Sequence, residues 1–174
     1  MSIEHYDRNK ISEILHESPF FNNFSTDLLD ILSETIKILF VKNGKLLIEQ
    51  GSDTKDGMYF VVDGSFEVYE SNEDHKIFLS TLTSNQTIGE MSLFYGGKRS
   101  ANVKALEDSI VFNIDKKHFN DLNKKFPSFG EVLKEISFKR YYQLVLTETL
   151  LNIFGDIPNE MHDEIISKGE WIEL

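Results

Sequence analysis

The chain has 174 residues, 40% of them apolar, with a formal net charge of −11 and no cysteine. That is enough for one packed domain with added segments. The lack of cysteine excludes disulfides, thiolate metal sites and iron–sulfur clusters, and the negative charge opposes nonspecific binding to nucleic acid or anionic lipid. No apolar run approaches the ~20 residues needed to cross a bilayer, and the first residues lack the basic and apolar regions of a signal peptide. The expectations are a cytoplasmic location, no nucleic-acid partner and no membrane insertion.

Taken in chain order, the pattern is helices, then strands, then helices. Lys10 to Glu17 and Thr26 to Lys37 carry apolar residues at helical spacing, among them Leu28, Leu29, Ile31 and Leu32. Ser25 or Thr26 is suited to cap the second helix. Glycine is absent before Gly44, and then Gly44, Gly51, Gly57 and Gly64 recur at six- or seven-residue intervals. Between and after them lie runs rich in β-branched and aromatic residues: Lys45 to Glu49, Met58 to Val62, Ser65 to Tyr69, Ile77 to Leu82 and Val103 to Ile114. Short strands with regularly spaced turn signals predict an all-β sandwich or barrel. Lys116 to Lys124 then reads as a short helix, and Pro127 opens a long one reaching Asn152, since proline suits a first helical turn. The long helix has apolar residues on several sides: Phe129, Val132, Leu133 and Ile136; Phe138, Tyr142 and Val145; Tyr141, Leu144 and Leu151. Such a helix has several packing partners.

The most informative stretch is Gly89 to Val103, with Gly89-Glu90 at its start, Gly96-Gly97 in its middle and Arg99 just beyond. Backbone N–H groups at a helix start form a concavity for an anion. A guanidinium forks onto two phosphate oxygens. A carboxylate accepts from a sugar hydroxyl. One Glu and one Arg joined by a tight glycine turn would therefore grip both ends of a cyclic nucleotide.

This segment resembles the phosphate-binding cassette of the cyclic nucleotide-binding domain family, which includes the bacterial catabolite activator proteins and the regulatory subunits of cAMP-dependent protein kinase. Gly89, Glu90, Leu93, Arg99, Ser100, Ala101 and Val103 fall in register with the family pattern. Ser92 stands where Ala or Gly is usual, and Lys98 where Pro often precedes the Arg. The likeness runs from residue 20 to residue 152 and implies a mainly β fold with flanking α-helices. Its centre would be a β jelly-roll barrel, with N-terminal helices, a short phosphate-binding helix and a long C-terminal helix. The implied phosphate contacts are Arg99, Ser100, Ser92 and Ala101, and the implied ribose contacts are Glu90 and Gly89. Val68, Leu79, Ile88, Met91 and Leu144 would line the base pocket. The activators use a Thr at the position of Leu144 to bond adenine, and Gln143 and Thr147 lie near it. The ligand is then cAMP or cGMP, with cAMP favoured as the family's commoner ligand, and no metal is involved.

The implied organisation is a lead-in at 1–19, a nucleotide-binding barrel at 20–126, a lid or hinge helix at 127–152 and a further unit at 153–174. Residues 154–172 echo residues 21–39: Phe21, Phe24 and Leu28 share their spacing with Phe154, Ile157 and Met161. Such a repeat predicts the start of a second copy of the domain. The ending Glu170-Trp171-Ile172-Glu173-Leu174 is similar to second nucleotide-binding domains of bacterial patatin-like phospholipases of the neuropathy target esterase type.

Other signals are sparse. There is no Gly-x-Gly-x-x-Gly, Walker A loop, His-Glu-x-x-His or Gly-x-Ser-x-Gly. Asp53 to Gly57 lacks the alternating acidic ligands of a calcium loop and reads as a turn. Lys116, Lys117, Lys124, Lys125, Lys134, Lys139 and Arg140 read as the solvated side of two helices. The resulting expectation is a non-enzymatic sensor that signals through its C-terminal helices to a downstream effector domain or partner, with a homodimer through the long helix as one form. The alternatives are a ligand-free interaction scaffold of the same fold and a regulatory fragment of a larger lipid hydrolase.

Overall fold

The computed structural model describes residues 6–22, 24–71 and 75–154. The proposed second unit therefore lies outside the described residues, apart from the end of the long helix. Helix α1 (Arg8–Glu17) is capped by Asp7, whose carboxylate accepts from Lys10 N at 2.8 Å. Helix α2 (Thr26–Thr35) is capped by Ser25. It stops two residues earlier than its apolar spacing predicts, because Ile36 is extended and Lys37 already pairs with Asn113 in the sheet.

Eight antiparallel strands follow: β1 (Lys37–Val41), β2 (Leu46–Ile48), β3 (Met58–Asp63), β4 (Ser65–Ser71), β5 (Lys76–Thr83), β6 (Thr87–Ile88), β7 (Asn102–Ala105) and β8 (Ser109–Ile114). They form two four-stranded sheets, β1-β8-β3-β6 and β2-β7-β4-β5, in the jelly-roll arrangement. The apolar run from Val103 to Ile114 is two strands, one in each sheet. The chain turns through Leu106, Glu107 and Asp108, with Asp108 accepting from Asn43 N at 2.9 Å.

Strand β8, between β1 and β3 in the first sheet, is buried at every position, so it shows no alternation of buried and exposed residues. Tyr59, Val61 and Val111 point between the sheets, where they meet Phe66, Ile88 and Val103. Their neighbours Met58, Phe60, Phe112 and Ile114 point the other way, into a second core covered by helices. There Phe60 meets Phe21 with ring centroids 4.7 Å apart. Helix α3 (Met91–Phe94) is a single turn between β6 and β7. Helices α4 (Lys116–Lys125) and α5 (Pro127–Phe154) close the helical layer through Phe119, Leu122, Phe129 and Leu133. No helix among the described residues is long and apolar enough to cross a membrane.

The N-cap of α4 carries a pH-dependent contribution. Asp115 accepts from His118 N at 3.0 Å, contacts the His118 ring and pairs with Lys37. These bonds, the one from His118 N foremost, hold its carboxyl down at about 2, against an ordinary 3.8. A lowered folded-state pKa means stability that is present above the unfolded value and is lost as the pH falls through the folded one. Asp115→Ala should cost about 1 kcal/mol at neutral pH, the usual worth of an N-cap. In denaturant titrations at a series of pH values, the gap from the parent chain should close between pH 3.8 and about 2. A gap that does not change with pH would contradict this.

Candidate functional site

The site is built around a buried arginine. The backbone turns at Gly89 with φ +83°, and a Cβ there would lie 2.5 Å from Arg99 Nη1, so only glycine leaves the guanidinium its place. Arg99 is 3% exposed. Its Nη1 donates to Gly89 O at 2.8 Å and to Ser92 Oγ at 2.9 Å. Its Nη2 donates to Asp56 Oδ1 at 2.8 Å and to Gly57 O at 2.5 Å. The main chain of Arg99 is held as well, by Ser52 O and Gly51 N. A fork of both terminal nitrogens onto phosphate, the geometry expected from sequence, is thus already occupied by protein acceptors. The remaining donor, Nε–H, is buried without a partner.

The second charged group is Glu90, which is fully buried. Its Oε1 accepts from Arg140 Nη1 on α5, which also donates to Thr87 O at 2.7 Å. Its Oε2 is buried without a partner. Arg140 therefore does not belong with the solvated lysines of α4 and α5. Its side chain turns away from them toward the barrel and is 22% exposed.

A cavity of about 200 Å³ opens between the second sheet, the β6–β7 segment and α5. Gly89, Glu90, Ser92, Arg99, Ser100 and Ala101 lie along one side. Val68, Leu79, Ile88, Met91 and Leu144 also line it, so the residues assigned from sequence to phosphate, ribose and base all reach this one space. Arg140, Gln143 and Ser80 complete its polar lining. Just outside, Tyr95 stacks on Tyr141 of α5 at 5.1 Å between centroids. The side chain of Thr147 lies outside the described residues. Among the described residues there is no group of three or more acidic, His or Cys side chains able to hold a metal ion.

Three residues that complete the site escaped the sequence reading: Asp56, Gly57 and Arg140. Asp56 and Gly57 sit in the turn that was set aside as a weak calcium loop. Gly57 has φ +81°, and a Cβ there would fall 2.0 Å from Ile114 O. A glycine beside an acidic residue at the start of a strand was the available signal.

The family model of the cyclic nucleotide-binding domain matches residues 38–126, half of the chain. This chain belongs to the cyclic nucleotide-binding domain family. It is similar to the cAMP-dependent protein kinase type II regulatory subunit of Drosophila melanogaster, 30% identical over 98 residues, covering 56% of this chain and 26% of that protein. It is also similar to Lysophospholipase NTE1 of Meyerozyma guilliermondii, 30% identical over 99 residues, covering 56% of this chain and 7% of that protein. The chain thus spans about a quarter or less of the length of these two relatives. Among solved structures, the catabolite activator protein of Thermus thermophilus shares the fold with a TM-score of 0.66. That match is 24% identical and covers 78% of this chain and 63% of that one.

The ion pair of Arg99 and Asp56 yields a direct prediction. Removing one partner of a buried pair leaves the other charge uncompensated. Asp56 is 43% exposed, so its truncation should cost about 2 kcal/mol, less than for a fully buried pair. Asp56→Ala should therefore lower the urea midpoint with an unchanged slope. An unshifted midpoint would mean that Arg99 finds equivalent partners without Asp56.

Proposed function

We propose that this domain is a non-enzymatic regulatory module that binds cAMP in preference to cGMP and transmits its occupancy through α5. The observation that carries this reading is the pair of buried, unpartnered atoms Glu90 Oε2 and Arg99 Nε, on residues that line one cavity. One is an acceptor and the other a cationic donor. A buried polar atom without a partner costs about 1–3 kcal/mol, so a ligand that satisfies both recovers that cost. A cyclic nucleotide has the matching groups, a ribose 2′-hydroxyl to donate to Glu90 and a phosphate oxygen to accept from Arg99. Ser92, Ser100, Ala101 and Gly89 would surround these two ends.

The base would lie against Val68, Leu79, Ile88, Met91 and Leu144. An apolar wall of this kind favours adenine, because guanine has more edge groups that lose water on burial. The relationship to a cAMP-dependent kinase regulatory subunit points the same way. Signalling would run through Arg140, which ties Glu90 to α5, and through the stacked pair Tyr95 and Tyr141. A ligand that engages Glu90 then binds one placement of α5 better than another and shifts the population toward it. The homodimer or effector contact would use the exposed Phe138, Tyr142 and Val145 of α5. The likeness to Lysophospholipase NTE1 supports a second reading, in which this module regulates a lipid hydrolase in a longer chain. A Gly-x-Ser-x-Gly elbow in the full reading frame would be its mark.

Calorimetric titration with cAMP and then cGMP tests the proposal. The expected result is micromolar or tighter binding of cAMP, weaker binding of cGMP, and a loss in Arg99→Ala of about 2–5 kcal/mol, one or more decades in affinity. Absence of heat and of thermal stabilisation with both nucleotides would replace the sensor by an interaction scaffold of the same fold.

A further inference from the structure

Tyr59 is a buried phenol whose hydroxyl is committed to the site rather than to the core. It lies on β3 opposite Asn113 and opposite Ile88, which lines the cavity. Its ring is 4% exposed and packs between the sheets. Its hydroxyl donates to Asp56 Oδ2 at 2.5 Å, while the other oxygen of the same carboxylate holds Arg99. Asn113 Nδ2 donates to the main-chain oxygen of Asp56 at 2.7 Å. Two adjacent side chains, one from β3 and one from β8, thereby fix both the carboxylate and the backbone of Asp56.

We infer that Tyr59 is a positioning residue for ligand phosphate, acting through Asp56 to fix the Arg99 guanidinium, whose Nε–H is the donor left without a protein partner. The Asp56 side chain is 43% exposed. Without the phenol, nothing on its Oδ2 side competes with water, and the carboxylate is free to swing out of the guanidinium plane. Arg99 then loses the fixed direction that makes a single remaining donor useful. Burial, reinforced by Asp56, pushes the Tyr59 phenol above its ordinary range. It therefore stays a protonated hydrogen-bond donor at neutral pH. The short bond to an ionised acceptor is of the stronger, charge-assisted kind. A core tyrosine that merely needs an acceptor would be satisfied by any carbonyl. Here the acceptor is the counter-ion of Arg99, the cavity-wall arginine whose Nε–H is buried without a partner.

This inference rests on the cyclic-nucleotide reading, and the test separates the two. Tyr59→Phe keeps the packed ring and removes only the hydroxyl. Affinities for cAMP and for adenosine, which lacks the phosphate, are measured by NMR titration in the parent chain, Tyr59→Phe, Asp56→Asn and the double variant. The Arg99 Nε–H resonance is followed in the same samples without ligand. Tyr59→Phe should weaken cAMP about tenfold, the worth of one charge-assisted hydrogen bond, and leave adenosine unchanged. The Arg99 signal should move and exchange faster with water. Adding Tyr59→Phe to Asp56→Asn should bring no further loss, because both act on one chain of contacts. Equal losses for cAMP and adenosine, or no loss for either, would overturn the positioning role. If the parent chain binds neither cAMP nor cGMP, the functional reading falls. The Arg99 resonance then decides alone: a signal that Tyr59→Phe leaves unmoved overturns the inference, and a displaced one upholds the positioning of Arg99.

Discussion

The architecture of the site depends on one buried guanidinium. Arg99 is 3% exposed and gives four hydrogen bonds to protein acceptors. A buried cation is tolerated only when it is paired and its donors are met. Those requirements reach far along the chain. They recruit Asp56 and Gly57 from the turn before β3, Gly89 from the end of β6 and Ser92 from α3. Both glycines have positive φ, and in each the missing Cβ leaves room for a neighbour. The serine that departs from the family pattern takes its place here too, since its hydroxyl accepts from Arg99 and donates to Gly89 O.

The same cavity is joined to the helical layer by a second charge pair. Glu90 is fully buried and its Oε1 is held by Arg140, so α5 and the Glu90 carboxylate are mechanically joined. The lower part of α5 is packed through Phe129 and Leu133, both fully buried. Farther along, Phe138, Tyr141, Tyr142 and Val145 are all exposed by 40% or more. A helix packed in the core at one end and held farther along through the Arg140–Glu90 pair and the Tyr95–Tyr141 stack is the kind of element whose placement a ligand at Glu90 can bias.

Local patterns in the chain were readable and distant partnerships were not. Gly89 to Val103 disclosed the cassette because its glycines, acid and arginine are near neighbours in sequence. Strand spacing disclosed the barrel because turns with positive φ need glycine. The run from Val103 to Ile114 hid a turn, since Leu106 is apolar yet exposed, and the strand that follows it is buried at every position. Strand β6 has two residues, too few to show alternation. Asp56 lies 43 positions from Arg99, and Arg140 lies 50 from Glu90. Each looks like an ordinary surface charge until the fold brings its partner to it. Arg140 was grouped with lysines that stay in solvent, and its contact with Glu90 across the fold sets it apart from them.

The central claim is that two unpartnered atoms, on residues that line one cavity, are the partners of the two ends of a single ligand. Titration of the unmodified chain with cAMP and with 2′-deoxy-cAMP under identical conditions tests it most directly. The account predicts that removing the 2′-hydroxyl weakens binding by about tenfold or more, because Glu90 Oε2 is then left buried without a donor. Equal affinity for the two nucleotides would contradict it, by showing that the buried carboxylate does not meet the sugar.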